Sequence, residues 1–443
     1  MKFEVINSLF DNASCGAKGA PSRAGARAHA LDKAQLQVLE NFDKTIQSVR
    51  PLNSRQLQAL PEQIRDLSHQ LTDERGSRRL GYMNENIQLS SYVRYFTWWN
   101  LVRLTRLFSN LPDSAFPCGE VPPAGDSAPA QRKVPPATAS APDAPSTACL
   151  DLGSGPLTLV TALWISRPEL RNKKLTWYCL DLSQGALTLG EELYMSVAAQ
   201  LPPSDENAPG HWKIIRVKGS FGTFIKEKCS FITCANMFNE LDQGSKMPPE
   251  FQTKKYFDQL SAYASQDAKY LLVEPGVPKA ARTLSLLRER FIKAGYEVVA
   301  PCPHAGDCPM NGFKSYTGSK NKWCNFAFST EDAPARLQKL SSLAKLPKER
   351  AVLSFICAER VSGAVTAQAD KKSKSLLLRI TSDSFRLPKN RTGYYACSEL
   401  GLTLVATEKQ DAFTSGDLIQ VELTKNSAQL PVDFKSGAKM IFI

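Results

Sequence analysis

Apolar positions follow three rhythms along this chain. From Lys33 to Ser48 they recur at helical spacing through Leu36, Leu39 and Phe42, and Ser54 to Leu71 continues as a second amphipathic helix. Between Tyr82 and Phe108 the apolar stripe widens to Tyr92, Tyr95, Phe96, Trp99, Val102 and Leu107, with Arg94, Arg103 and Arg106 interleaved. A basic helix with aromatics can lie on RNA, where stacking and phosphate contacts combine, or it can pack on its neighbours; the pattern allows both. From Pro112 to Ser146 the rhythm stops in a run of Pro, Ala and Ser, which predicts an extended linker without a core.

From Ala148 a second rhythm begins. Cys149 to Leu152 is strand-like and is followed by the helical run Leu157 to Ile165. Leu175 to Leu182 is followed by Gly185 to Ala199. Ile214 to Val217, Ser230 to Ala235 and Tyr270 to Val273 are strand-like, Lys279 to Ala294 is helical, and Tyr296 to Ala300 is a further strand. Strands alternating with helices predict a parallel sheet covered on both faces. A third rhythm starts near Leu376, where Leu376 to Thr381, Leu402 to Ala406 and Leu418 to Leu423 are short strands between turn residues; they predict a small, barrel-like β-domain. No internal repeat is present. The expected division is an N-terminal helical region (1–111), a linker (112–146), an α/β domain (147–335) and a C-terminal β-domain (336–443).

Composition changes this picture in two respects. Lys and Arg total 55 against 43 Asp and Glu, a net charge of +12, which favours a polyanionic partner such as nucleic acid. The 11 cysteines follow no secretory signal, because Met1-Lys2-Phe3-Glu4 leads into no apolar stretch, so clustered thiols predict metal ligation and not disulfides. Ala13 to Leu31, with Lys18, Arg23 and Arg27 and no acid, resembles an organelle transit peptide, whereas Glu4 and Asp11 speak for a flexible terminus of a cytoplasmic protein. No apolar run is long enough to span a bilayer.

Two segments carry chemistry. In Cys149-Leu-Asp151-Leu-Gly153-Ser154-Gly155-Pro-Leu-Thr158, glycines at 153 and 155 let the backbone turn sharply between a strand and a helix and approach a ligand closely. Asp181 ends the next strand, where an acid can accept hydrogen bonds from both hydroxyls of a ribose. The third glycine of a dinucleotide fingerprint is replaced by Thr158, which suits S-adenosylmethionine (SAM), a ligand without phosphate. The loop resembles the first motif of class I SAM-dependent methyltransferases, and Asp181 their second-strand acid. That resemblance implies that Gly153, Ser154 and Gly155, after Asp151, line the methionine part and that Asp181 holds the ribose. Phe231 to Leu241 is a strand running into a polar turn, where Asn236, Asn239 and Glu240 are candidates to line the same pocket. The Asn/Asp-Pro-Pro-aromatic motif of amino-methyltransferases is missing there, and no base or nucleophile stands out.

The second segment is Pro301-Cys302-Pro303-His304-Ala-Gly-Asp-Cys308-Pro309, followed by Trp323-Cys324-Asn325-Phe326. Thiols in a loop rich in Pro and Gly suit an ion or cluster wrapped by the chain. Iron–sulfur clusters tolerate such irregular spacing and zinc is the alternative; a fourth ligand comes from His304, Cys357 or Cys397. Lys314, Lys320 and Lys322 in the intervening loop either face RNA or are solvated.

Taken with the Asp151-Leu-Gly153-Ser-Gly155 loop and the Asn239-Glu240-Leu241 turn, the Pro-Cys-Pro-His, Cys-Pro and Trp-Cys-Asn-Phe elements resemble the methyltransferase-like protein 17 family of mitochondrial small-ribosomal-subunit assembly factors and their bacterial relatives. The resemblance runs from roughly Leu80 to the C-terminus. It implies a class I methyltransferase (Rossmann-like) α/β fold and a [4Fe–4S] cluster held by Cys302, Cys308, Cys324 and a downstream cysteine, for which Cys397 in Arg391 to Gly401 fits better than Cys357. The cluster would then clamp the β-domain onto the methyltransferase domain. It also implies the small ribosomal subunit and its rRNA as partners, with no membrane and a monomer off the ribosome, in a bacterial cytoplasm or in the mitochondrial matrix. Two functions follow: an assembly factor that keeps SAM as a stabilising ligand, or an active rRNA methyltransferase. Fold alone does not decide between them.

Overall fold

The computed structural model describes residues 2–11, 30–72, 83, 85–117, 146–241, 247–313, 322–360, 375–423 and 429–443. The basic segment around Lys18, Arg23 and Arg27, most of the proline-rich linker, Lys314 and Lys320 lie outside these residues.

The N-terminal part comprises β1 (Phe3–Ser8), α1 (Lys33–Glu40), α2 (Phe42–Val49), α3 (Ser54–Thr72), α4 (Asn86–Tyr92) and α5 (Trp98–Asn110). A capping box starts α1: Gln35 donates its backbone N–H to Asp32 Oδ1 at 2.8 Å, and Asp32 donates its own to Gln35 Oε1 at 2.6 Å. The expected single helix from Lys33 to Ser48 breaks at Asn41, which ends α1 and begins α2. A π-turn (Val93–Thr97) joins α4 to α5 and lets Tyr95, Trp98, Trp99, Val102 and Leu107 all reach the core. The interleaved arginines are engaged inside the protein. Arg94 donates to Gln47 Oε1 at 3.1 Å, Arg103 to Asn236 Oδ1 at 3.0 Å, and Arg106 pairs with Asp332. The helix therefore packs, and these side chains are not an RNA-facing row.

The central part runs β2 (Thr147–Leu152), α6 (Thr158–Ser166), α7 (Pro168–Arg171), β3 (Leu175–Asp181), α8 (Gln184–Gln200), β4 (Lys213–Lys218), β5 (Cys229–Ala235), α9 (Phe238–Leu241), α10 (Pro249–Tyr263), β6 (Ala264–Pro275), α11 (Pro278–Lys293), β7 (Tyr296–Ala300), β8 (Phe326–Ser329), α12 (Ala335–Leu343) and β9 (Arg350–Arg360). The sheet order is β4-β3-β2-β5-β6-β9-β7, with β8 paired to β9. The first five strands are parallel, and β9 enters antiparallel between β6 and β7. This is the strand arrangement of a class I methyltransferase. Along β2, Cys149 faces the cluster that includes the N-terminal helices, and Leu150 and Leu152 face the opposite cluster, so the sheet is covered on both sides.

The C-terminal part comprises β10 (Ser375–Ile380), β11 (Phe385–Leu387), β12 (Arg391–Ser398), β13 (Gly401–Thr407), β14 (Asp417–Glu422) and β15 (Lys439–Phe442), with sheet order β1-β14-β10-β12-β13-β15.

Three expectations about organisation change. The terminus expected to be loose contains β1, which pairs antiparallel with β14, so the first residues complete the last sheet. Phe10 anchors the crossing by stacking on Phe328 at 4.9 Å between centroids. The α/β part does not end at 335: β9 is hydrogen-bonded on both sides, and Leu353, Phe355, Ile356, Cys357 and Ala358 are buried, which places this apolar run inside the larger sheet. The start of the proline-rich stretch is also not linker. Phe116 is buried under the Arg167 guanidinium, 4.0 Å from its ring centre, and Arg167 donates to the Phe108 carbonyl at 2.8 Å.

Candidate functional site

A cavity of about 310 Å³ opens at the carboxyl ends of β2, β3 and β5. Asp151, Gly153, Ser154, Gly155, Asp181 and Asn236, all named from the sequence, line it together, as do Glu240 and Leu241. Met83, ahead of α4, and Tyr92, Asn100 and Leu104 of the N-terminal helices close it from the other side.

The loop after β2 is held from within. Ser154 donates its N–H to the Leu180 carbonyl at 3.0 Å and its hydroxyl to the Asp151 carbonyl at 2.8 Å. Gly153 sits at φ +64°, and a Cβ there would lie 3.0 Å from the Met237 Cβ, so this position demands glycine on two counts. The close helix packing that a third glycine would give in a dinucleotide loop is supplied elsewhere. Gly190, in α8, packs so tightly on the loop that a Cβ would come within 2.4 Å of the Pro156 carbonyl carbon. That residue was not singled out from the sequence, since its partner is 34 positions away by number (190 against 156).

Asp181 receives the Gly155 N–H on Oδ2 at 2.9 Å and the Ser183 N–H on Oδ1 at 2.8 Å. A carboxylate has about four acceptor positions, so it can still accept from a ligand. Burial raises its pKa, and the backbone N–H groups of Ser183 and Gly155 oppose that shift. Asp151 is fully buried at the end of β2. Its Oδ1 accepts the Thr233 hydroxyl at 2.7 Å, and its Oδ2 has no partner. Burial pushes its pKa up to about 7 against the pull of the Thr233 hydrogen bond, and the neighbouring Asp181 adds to the rise.

The far wall follows β5. Asn236 adopts φ +64°, and Glu274, buried at the end of β6, accepts the N–H groups of Phe238 and Asn239 at 2.9 and 3.0 Å. Thus Asn239 serves the turn, and Asn236 and Glu240 reach the cavity wall. The Asn236 side-chain oxygen is already taken by Arg103 of α5 at 3.0 Å, while Arg103 also donates to the Val352 carbonyl at 3.3 Å. Arg103 and Glu274 were missed in the sequence; each is remote from the loop it holds.

The four cysteines named from the sequence also converge. Burial raises the Cys324 thiol well above its usual range, and Cys308, Cys302 and Cys397, near enough to repel its anion, raise it further. Burial raises Cys397 likewise, with Cys302 and Cys308 adding to the rise. His304 Nε2 lies 3.0 Å from Cys397 Sγ, so the loop after β7 meets β12 of the other sheet here. Cys357 is not part of this group: its side chain is buried in the core beside Arg167. Among the described residues, no group of three or more His, Cys, Asp and Glu is arranged to hold a metal ion.

The family model described as mitochondrial small ribosomal subunit Rsm22 matches residues 131–388, more than half of the chain. No curated protein matches the sequence. Among solved structures, a SAM-dependent methyltransferase from Aquifex aeolicus is 17% identical over 34% of this chain and 73% of its own, with a TM-score of 0.24. Magnesium protoporphyrin IX methyltransferase from Synechocystis PCC 6803 with bound S-adenosylhomocysteine is 11% identical over 49% and 75%, with a TM-score of 0.27. A SAM-dependent methyltransferase from Thiobacillus denitrificans in complex with S-adenosylhomocysteine is 13% identical over 49% and 86%, with a TM-score of 0.28. Likeness this slight carries no information about substrate. Among the described residues, no helix is long and apolar enough to cross a membrane.

Proposed function

The chain belongs to the Rsm22 family, and from that premise we propose that it is an assembly factor of the small ribosomal subunit which binds SAM as a ligand and carries a [4Fe–4S] cluster. The family's description supports the small subunit as partner and the mitochondrial matrix as location over a bacterial cytoplasm. A net charge of +12 supports contact with rRNA.

SAM is a methyl donor when bound. In this reading Gly153, Ser154 and Gly155 line its methionine part, the free acceptor positions of Asp181 take the ribose hydroxyls, and the unpartnered Asp151 Oδ2 takes the ammonium group. A buried carboxylate oxygen without a partner is costly, and a ligand donor would relieve that cost.

The cluster rests on the donor set: four mutually influencing thiols, three from the connection between β7 and β8 and one from β12 of the other sheet, with no carboxylate among them. Bound there, it joins the loop after β7 to β12 and so fixes one sheet on the other.

The observation that favours binding over catalysis is the Arg103–Asn236 contact. A guanidinium from the same chain engages one of the two lone pairs of the Asn236 side-chain oxygen at the end of β5 and competes there with an acceptor amine. Mapping methylated nucleotides of small-subunit rRNA in cells with and without the gene tests the proposal. An unchanged map together with a shortage of mature small subunits is expected. Loss of one specific methyl group with normal subunit levels would make the protein an rRNA methyltransferase instead.

A further inference from the structure

Two arginines are packed against the thiols, and neither has a part in the reading above. Arg288, on α11, is only 3% exposed. Its Nε donates to Cys302 Sγ at 3.1 Å and its Nη2 to the His304 carbonyl at 2.7 Å, so the guanidinium grips both ends of the Cys302–His304 segment. Arg379, on β10 of the other sheet, is 5% exposed. It donates to the Pro301 carbonyl at 2.9 Å, to Asn7 Oδ1 of β1 at 2.9 Å and to the Gly416 carbonyl at 2.7 Å. The two cations thus flank one short loop from two domains.

Their counter-charges differ. Arg379 has Asp417 within electrostatic reach as well as Cys302, Cys324 and Cys397. The thiols that bear on Arg288 include Cys302, Cys308 and Cys397, it acts in turn on Cys324 and His304, and among the described residues no carboxylate forms an ion pair with it. A buried charge without a partner costs several kcal/mol. Neutral thiols do not offset it. Four metal-bound thiolates do: around a doubly positive iron–sulfur core they leave two negative charges, and the two guanidiniums carry two positive ones.

We propose that Arg288 is a positioning residue of the metal centre, whose N–H to the Cys302 sulfur and whose charge hold that thiolate in place and raise the reduction potential of the cluster. This rests on the reading of the four cysteines as cluster ligands. Reduction adds one negative charge to the centre, so a fixed cation at hydrogen-bond distance stabilises the reduced form more than the oxidised one, as outer hydrogen bonds to cluster sulfurs do in general.

The test uses the full chain reconstituted anaerobically with iron and sulfide. Iron and sulfide per chain are measured, followed by a redox titration monitored by electron paramagnetic resonance, for wild type, Arg288→Gln and Arg288→Lys. Arg288→Gln is expected to shift the oxidised-to-reduced equilibrium at least about tenfold toward the oxidised form, a midpoint lower by about 59 mV for one electron. Arg288→Lys keeps the charge and loses the planar donor, so its midpoint should fall between the other two. A fully loaded Arg288→Gln with the wild-type midpoint overturns the proposal. If Arg288→Gln does not fold or load, Arg288→Lys decides: an unshifted midpoint overturns the proposal and a lowered one supports it. Wild type that binds neither iron nor zinc sinks the metal reading itself. Wild type that binds only zinc corrects the metal, and release of zinc to a chelator then decides: at least about tenfold faster from Arg288→Gln supports the role, and equal rates overturn it.

Discussion

The cofactor cavity and the thiol pocket use the same central sheet but are held together by different forces. The cavity is closed by backbone and carboxylate hydrogen bonds that the folded chain makes by itself: Ser154 to Leu180, Gly155 to Asp181, Phe238 to Glu274. Its shape exists before any ligand arrives. The thiol pocket gathers a loop with little regular structure and one strand of the other sheet, with His304 meeting Cys397 across 93 residues. Its direct bonds to sulfur are few, Arg288 to Cys302 and His304 to Cys397, and the raised thiol pKa values mark groups that favour the neutral form unless a metal takes them. One site is preorganised for a ligand, and the other, on the proposed reading, would be completed by one.

The largest expected effect follows from that difference. Cys302→Ser removes a proposed ligand from the thiol group that lies between the two sheets, and structural metal sites can contribute on the order of 10 kcal/mol to folding. Loss of metal and early melting of the β10–β15 sheet, with β1 released from β14, are expected; hydrogen exchange of residues 3–8 and 417–422 reads this out. Full metal content and unchanged exchange would show that the four cysteines do not hold the metal. A middle-sized effect belongs to the cavity. Asp181→Ala removes an acceptor of ribose hydroxyls, and hydrogen bonds to charged groups are worth about 1.5–3 kcal/mol. Calorimetry should show SAM affinity falling by about ten- to a hundredfold, with metal content unchanged. Equal affinity would break the assignment of the ribose, and a loss of metal would show that the two sites are not separable.

The same contrast explains what was legible in the sequence. The glycine loop and Asp181 can be read because a strand–turn–helix places its ligand contacts within a few residues, and period and turn chemistry reveal such units. The thiols could be read as neighbours of one another, since Cys in a Pro- and Gly-rich loop has no packing role, and the structure brings Cys302, Cys308, Cys324 and Cys397 together. Cys397 could not be selected over Cys357 by spacing; both are buried in strands, and their neighbours distinguish them, Cys302 and Cys308 beside Cys397 but Arg167 beside Cys357. What escaped were long-range partners. Arg103 reads as one cation of a basic helix, yet it holds Asn236 from 133 positions away. β1 is short and half polar, and only its pairing with β14 gives it a place. Val352 to Ala358 reads as an isolated apolar run, because a strand buried on both faces has no alternation to mark its sheet.

The smallest expected effect bears on whether the cavity's preorganisation includes its charge. Asp151 is raised to about 7 chiefly by burial, while its Oδ2 lacks a partner at the cavity wall. The sign follows directly. Below that pH the group is protonated and cannot pair with a ligand's ammonium. Above it the carboxylate exists, and a bound cation favours it further. SAM affinity should therefore rise with pH through 7 and level off above 8, by at most about tenfold per pH unit. Asp151→Asn should be flat over the same range, since an amide keeps the shape and loses the titration. Titrations between pH 6 and 8 with S-adenosylhomocysteine beside SAM would show whether the shared amino-acid part carries the effect: both ligands should respond alike. A slope that survives in Asp151→Asn would move the ammonium contact to another group and leave Asp151 as a strand-end residue serving only Thr233.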